Sequence, residues 1–518
     1  MSTPPQQANK WLVAPTVMLP MLMVVLDTSV VNVSLDHIRG SLSAGIDEAT
    51  WSITAYLAAN AVIIPMTGWL SRLFGRKRYL IFSIVFFTLS SFLCGVSWNI
   101  QSLIIFRVIQ GLTGGSMPPM TQAILLESFP PQQYGIAMAI FGVGVTFGPI
   151  IGPVLGGWIT DNLTWHWVFF INIPIGIVSV IMALLIIVDP PYMKAMRMKI
   201  DYLGFILLGA GVGCLQLLFD RGERNDWFAS NLMLAFGIIS VFSLAMFIAV
   251  ERFAERPIID LSIFRNYSFC LGNTAMFFFM ANLFGTIVLL PIFLQTLMGY
   301  TSNLAGIVLA PGGVATLLAM PLVGRLLHKY NPKFFIIPGI FITAYSTLLM
   351  AGFTMGVDFP TVVWPRFMMG LGMGMLFIPL TTLTVSGIKK ENMANATAIY
   401  NLVRNIGGSI GIAMVTTMVN RRSQFHQSRL VDSLTPFDPT YYLRSRQGAA
   451  LLQQGGMDPS SAHQGSLGLM YQNMIKQASM FSFDDVFYFL TLMILLLVPL
   501  VLLMRTNSPE QVQTVVSE

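Results

Sequence analysis

The sequence predicts an all-α polytopic membrane protein built of two repeated halves, and three observations carry that expectation. Of its 518 residues, 55% are hydrophobic and only 10% charged, against about 25% charged in a soluble domain. Its apolar runs are about twenty residues long, the length a helix needs to cross the hydrocarbon core, and they lack the short alternation of barrel strands. Two pairs of segments also repeat in the same order. Pro65-x-x-Gly68 with its basic tail matches Pro321-x-x-Gly324 at an offset of 256, and Arg107, Gly111 and Gly115 match Arg366, Gly370 and Gly374 at an offset of 259. Duplicated halves related by an axis along the membrane normal place a substrate site between them, near the bilayer midplane.

The pattern predicts fourteen helices, near 12–35, 49–70, 79–97, 100–127, 134–159, 165–188, 202–220, 229–250, 268–294, 303–326, 333–355, 361–386, 393–419 and 485–504. The first carries Asp27 and Asn32 inside an apolar run, lacks a small-residue cleavage site and reads as an uncleaved span. The second ends in 68-GWLSRLFGRKR-78, a glycine turn whose basic residues can meet helix C-terminal carbonyls and nearby carboxylates, or simply anchor the inner face. The fourth buries Arg107, a permanent charge that needs acceptors at that depth. The fifth repeats glycine at 144, 148, 152 and 156, a smooth stripe for a neighbouring backbone, with Pro149 and Pro153 weakening the helix; close packing alone and a bend point both fit. The seventh and eighth fall between the repeats and read as an insertion. Asn32, Gln110, Phe278, Asn282, Asn401 and Asn405 are the candidate cavity residues, polar handles and aromatic surface within spans. Arg366 and Arg404 are further charges inside spans, and Cys94, Cys214 and Cys270 read as buried thiols.

These elements divide the chain into a first half (1–188), an inserted pair with flanking loops (189–266), a second half (267–419 with 484–505), a long external loop (420–483) and a tail (506–518). With the N-terminus cytoplasmic, 17 of the 29 basic residues lie inside, including Lys194, Arg197, Lys199, Arg256 and Arg505, against three in the short outer loops. Both termini are therefore expected in the cytoplasm. The basic clusters are inter-helix anchors without a groove of interleaved aromatics, which excludes nucleic acid as a partner.

With these motifs in place, the chain resembles the fourteen-helix drug:proton antiporter group of the major facilitator superfamily, the EmrB/QacA kind, and within it EmrB-like export permeases. The segment 26-LDTSVVNVSLD-36 is similar to the family's first-helix pattern; Gly68, Gly75 and Arg76 fit its loop motif, with Arg72 where the superfamily usually has Asp; and 165-WHWVFFINIPIG-176 fits a third motif with His166 in an Arg position. The resemblance implies proton coupling through Asp27 and Arg107, gating by the loop motif, and an antiporter motif formed by Gly144, Gly148, Pro149, Gly152, Gly156 and Gly157. It further implies export of amphipathic compounds from a Gram-negative inner membrane, driven by the proton gradient without a cofactor. A periplasmic membrane-fusion adaptor and an outer-membrane channel are the implied partners, with the 420–483 loop as the adaptor contact; disorder is the competing reading of that loop.

No Gly-x-x-x-x-Gly-Lys-Ser/Thr motif offers ATP as an energy source. A membrane enzyme would need a clustered nucleophile and base, whereas the five His residues are scattered in loops or at span ends. A dedicated exporter of a siderophore, fatty acid or other metabolite fits the same scaffold, and a sensor without transport is a further alternative. Burial is expected to bring the Asp27 carboxyl toward a working pH range, with Thr28, Ser29 and Asn32 as hydrogen-bond partners and Arg107 as countercharge. The competing role is a structural acid permanently paired with Arg107.

Overall fold

A computed structural model describes residues 9–189, 201–254, 257–434 and 439–504. Among them all regular structure is helical. The first half comprises α1 (Lys10–Ser41), α2 (Ile46–Ile63), α3 (Thr67–Phe74), α4 (Arg76–Gly95), α5 (Ile100–Gly114), α6 (Met117–Ser128), α7 (Tyr134–Asn162), α8 (Trp167–Phe170) and α9 (Asn172–Ile186). The inserted pair is α10 (Tyr202–Arg221) and α11 (Asn231–Glu251). The second half comprises α12 (Tyr267–Thr296), α13 (Ser302–Leu326), α14 (Lys333–Met350), α15 (Phe359–Val385), α16 (Met393–Ser433), α17 (Pro439–Gln454), α18 (Pro459–Leu495) and α19 (Leu497–Leu503). The basic residues 194, 197, 199, 256 and 505, and the tail 506–518, lie outside the described residues.

Twelve of these helical runs are long and apolar enough to span a membrane, and α2 with α3 makes a thirteenth across a 62° bend. That bend falls at Ile64–Met66, where Pro65 cannot donate its backbone hydrogen bond. The predicted fourth span is two shorter helices, α5 and α6, parted at Gly115 and Ser116 just ahead of Pro118 and Pro119. The fourteen expected spans are compatible with these helices, of which twelve or thirteen qualify by length and composition; besides these two, the sixth and the last are also interrupted, between α8 and α9 and between α18 and α19.

The repeat is visible in packing. Gly111 and Gly115 of α5 lie against α2, where an added Cβ would come 2.4 Å from Tyr56 O and 2.5 Å from Asn60 O. Their equivalents Gly370 and Gly374 of α15 lie against α13, at 2.0 Å from Gly312 O and 2.5 Å from Ala319 Cβ. Between halves the same rule holds. An added Cβ on Gly68, in α3, would come 2.9 Å from the Asn395 backbone of α16, and one on Gly324, in α13, 2.7 Å from Gly135 O of α7. Only a missing side chain lets backbones approach this closely.

The halves are sealed on the face that carries Lys10 and Lys333. There Thr397 donates to Pro119 O at 3.0 Å and Asn401 to Gln122 Oε1 at 2.6 Å, joining α16 to α6. Along α7 and α13 contact continues to Ile150 and Gly313, while Gly157 and Gly306, nearer the opposite face, have nothing close by.

The segment 420–483, expected as a loop, is largely helical: α16 and α18 continue past the predicted span ends and pack on each other, and α17, which lies between them in sequence, packs on α18. No Gly or Pro interrupts α16 from 420 to 433, so nothing stops the helix where its apolar run ends. Arg422 and His426 of α16 both reach Asp485 of α18 at 2.6 Å. Pro459 opens α18 behind an Asp458 cap that accepts from the Ser460 and Ser461 amides, and Ser466 donates to Ser445 O at 2.8 Å to hold α17. The hydrogen bonds from those two serines keep the exposed Asp458 carboxyl well below its ordinary pKa. Residues 435–438 lie outside the described residues.

Candidate functional site

Asp27 sits on α1 and is buried, and three donors from two helices converge on it. Arg107 Nη1 of α5 donates to Oδ2 at 2.6 Å; Gln110 Nε2, one turn further along α5, donates to Oδ1 at 2.9 Å; Asn172 Nδ2, at the start of α9, donates to the same oxygen at 2.9 Å. Arg107 also donates to Gln110 Oε1 at 2.8 Å and to Ser52 O of α2 at 3.4 Å, and its guanidinium lies 4.0 Å from the Tyr56 ring centroid. Asn172 is itself placed by Ser91 of α4 at 2.9 Å, and the Cys94 thiol points at Gln110 Oε1. Asp27, Arg107, Gln110, Asn172 and Tyr56 are each at most 1% exposed. An intramembrane ion pair this dry depends on polar neighbours; here they fill both Asp27 oxygens, while Arg107 Nη2 and Asn172 Oδ1 are buried without a hydrogen-bond partner among the described residues.

The donors differ from those expected. Thr28 donates to Val24 O at 3.1 Å, Ser29 packs against Gly152, and Asn32 is exposed. Five residues on from Asp27, Asn32 is turned to another side of the helix. Gln110, expected in the cavity, belongs to the Asp27 cage. Asn172 was not among the expected site residues although it stands in the quoted 165–176 segment; an Asn at a span end reads as a turn signal until α4 and α1 are seen beside it.

Other candidates also move. Asn282 is buried inside the second half, donating to Leu490 O of α18 at 2.7 Å. Asn401 seals the halves rather than lining open space. Phe278 is half-buried in an edge-to-face pair with Phe277, and Asn405 is half-buried beside Arg404. The glycine stripe of α7 faces α1: Gly144, Gly148, Gly152 and Gly156 meet Met18, Val25, Ser29 and Val30 in turn. Gly157 is outside that contact. The side chain of Pro149 lies outside the described residues.

At the loop motif, Gly75 joins α3 to α4 with φ +84°, a backbone that favours glycine. Arg76 forms a buried ion pair with Glu127 of α6. Lys77 donates from its amide to Asp189 Oδ1 at 2.8 Å and from Nζ to Leu184 O at 2.7 Å, near the C-terminus of α9. Arg72 lies within the field of Asp260, which precedes the second half. His166 stacks on Trp165 at 4.0 Å, and burial lowers its pKa below the ordinary imidazole value.

A bundle of this kind, two repeated halves around a buried carboxylate and guanidinium, defines a membrane transporter rather than an enzyme. The chain belongs to the Major Facilitator Superfamily, whose family model matches residues 17–412, and its relatives place it with the EmrB-like members. It is 35% identical to the fatty acid resistance protein FarB of Neisseria gonorrhoeae, over 94% of each chain. It is 36% identical to the multidrug export protein EmrB of Escherichia coli K12, over 90% of each. The fold is also that of a crystal structure of a double-tryptophan XylE mutant, with a TM-score of 0.62, 13% identity and 98% of each chain covered.

Proposed function

We propose that the protein exports hydrophobic and amphipathic toxic compounds across the inner membrane in exchange for protons. The caged Asp27 is the observation that carries this reading. A carboxylate held by three donors exchanges its proton only when that cage opens, so protonation state and helix arrangement are linked. Proton uptake at Asp27 frees Arg107 and loosens α1 from α5 and α9; α1 then slides on the side-chain-free stripe of α7 while the seal at Asn401 and Gln122 parts. No cofactor takes part, since the proton gradient supplies the energy. Both termini are cytoplasmic, which makes the sealed face the inner one and the cleft outward-open.

The helical hairpin of α16, α17 and α18 is the surface offered to a periplasmic adaptor, itself joined to an outer-membrane channel. The name of the FarB relative favours one second reading on the same scaffold, export of fatty acids. Proteoliposomes test the main proposal. Adding substrate should release protons, and an imposed proton gradient should drive substrate uptake into inside-out vesicles; gradient-independent movement would refute proton coupling.

A further inference from the structure

The boundary between the halves carries a second charge, and this one lacks a partner. Residues 397, 401 and 404 fall on one side of α16, at i, i+4 and i+7. The first two bind α6 across the boundary, and Arg404 is the next step outward, above the seal. Its guanidinium carbon lies 5.9 Å from the centroid of the Phe141 ring of α7. Its Nη1 is buried without a hydrogen-bond partner, and no carboxylate pairs with it among the described residues. Tyr400, one turn below, is buried with its hydroxyl on Thr381. Asp27, the acid deep within the spans, is already committed to Arg107.

Arg404 is half-buried, and an enclosed guanidinium nitrogen without an acceptor inside a span is unfavourable. A ring face attracts the cation but accepts no N–H fork. A transient anion above the seal would give this nitrogen the acceptor that the surrounding residues do not supply.

Resting on the export reading above, we propose that Arg404 is the headgroup subsite of the cleft, receiving the carboxylate of an amphipathic anion whose apolar part lies against the Phe141 side of the boundary. Cationic and neutral amphiphiles then use the cleft without this contact.

The test uses full-length protein in neutral phosphatidylcholine vesicles, with decanoate, decanol and decyltrimethylammonium as probes. Arg404→Gln should weaken decanoate binding roughly tenfold, the loss of a charge-assisted hydrogen bond, leave the other two probes unchanged and leave the Tm equal or higher; Arg404→Lys should recover part of the loss. Unchanged decanoate affinity in Arg404→Gln overturns the proposal, as does equal weakening for all three probes. Arg404-dependent capture of phosphatidylglycerol with unaltered decanoate binding also overturns it, assigning the site to lipid phosphate. Wild-type vesicles that transport none of the probes would instead sink the export reading itself.

Discussion

Arg107 donates to Asp27 at 2.6 Å, while among the described residues Arg366, its repeat equivalent, reaches only the Met369 sulfur at 3.4 Å. The two halves share a backbone plan, yet only the first carries a buried ion pair at this position. That asymmetry sets the first expectation. Arg107→Ala strands a buried carboxylate and should lower stability by about 3–5 kcal/mol while abolishing coupled export. Arg366→Met removes a buried charge that has no carboxylate to strand, and should leave the Tm equal or higher. Thermal unfolding and efflux per inserted molecule measure both, and equal losses in the two variants would remove the asymmetry.

Asp27→Asn keeps the size of the side chain and mimics the protonated acid. It should retain expression and substrate binding but lose proton-driven efflux and substrate-induced proton release, with Asp27→Glu partly active. Wild-type pumping with unchanged pH dependence in Asp27→Asn would show that another group couples the proton.

The seal offers a separate handle. Asn401→Ala deletes one hydrogen bond across the boundary, worth about 0.5–1.5 kcal/mol, and should shift the equilibrium toward the inward-open state by up to about tenfold. The readout is alkylation of Thr397→Cys by an impermeant maleimide applied from the Lys10 face. An unchanged rate would mean that this bond does not hold the conformation.

Replacing residues 425–478 by a short flexible linker should leave insertion and ligand binding intact and abolish adaptor capture and resistance. Normal co-purification of the adaptor with the shortened protein would place its contact elsewhere.

Charge inside apolar runs was the most legible signal. Asp27 and Arg107 stood out because neither belongs in hydrocarbon without a partner, and the structure puts them together. Gln110, Asn172, Asn282 and Asn401 were harder, because a neutral amide in a span fits a cavity, an ion-pair cage, an intra-half tie or a seal equally well; only the neighbouring helix decides. The helices within 420–483 were not legible for a related reason. Hydropathy reports where the membrane ends, while the helix ends where Gly, Pro or a cap stops it, and 420–433 contains none. The breaks at Pro65 and ahead of Pro118 had a visible cause in sequence, but not a visible angle.

The inserted pair makes the flanks of the molecule unequal. Thr54 of α2 is bonded to Asp220 of α10, and Arg221 lies 4.4 Å from the Trp51 ring centroid. On its other side α10 holds the second half, with Gln216 donating to Ser409 of α16 at 2.9 Å, and just beyond α10 Trp227 donates to Thr417 at 3.0 Å. One lateral doorway, between α2 and α16, is thus curtained by a helix, whereas among the described residues no inserted helix crosses the doorway between α7 and α13. For a molecule dissolved in the surrounding bilayer, the approach to the boundary between the halves is handed: it meets a wall on one flank and an edge on the other.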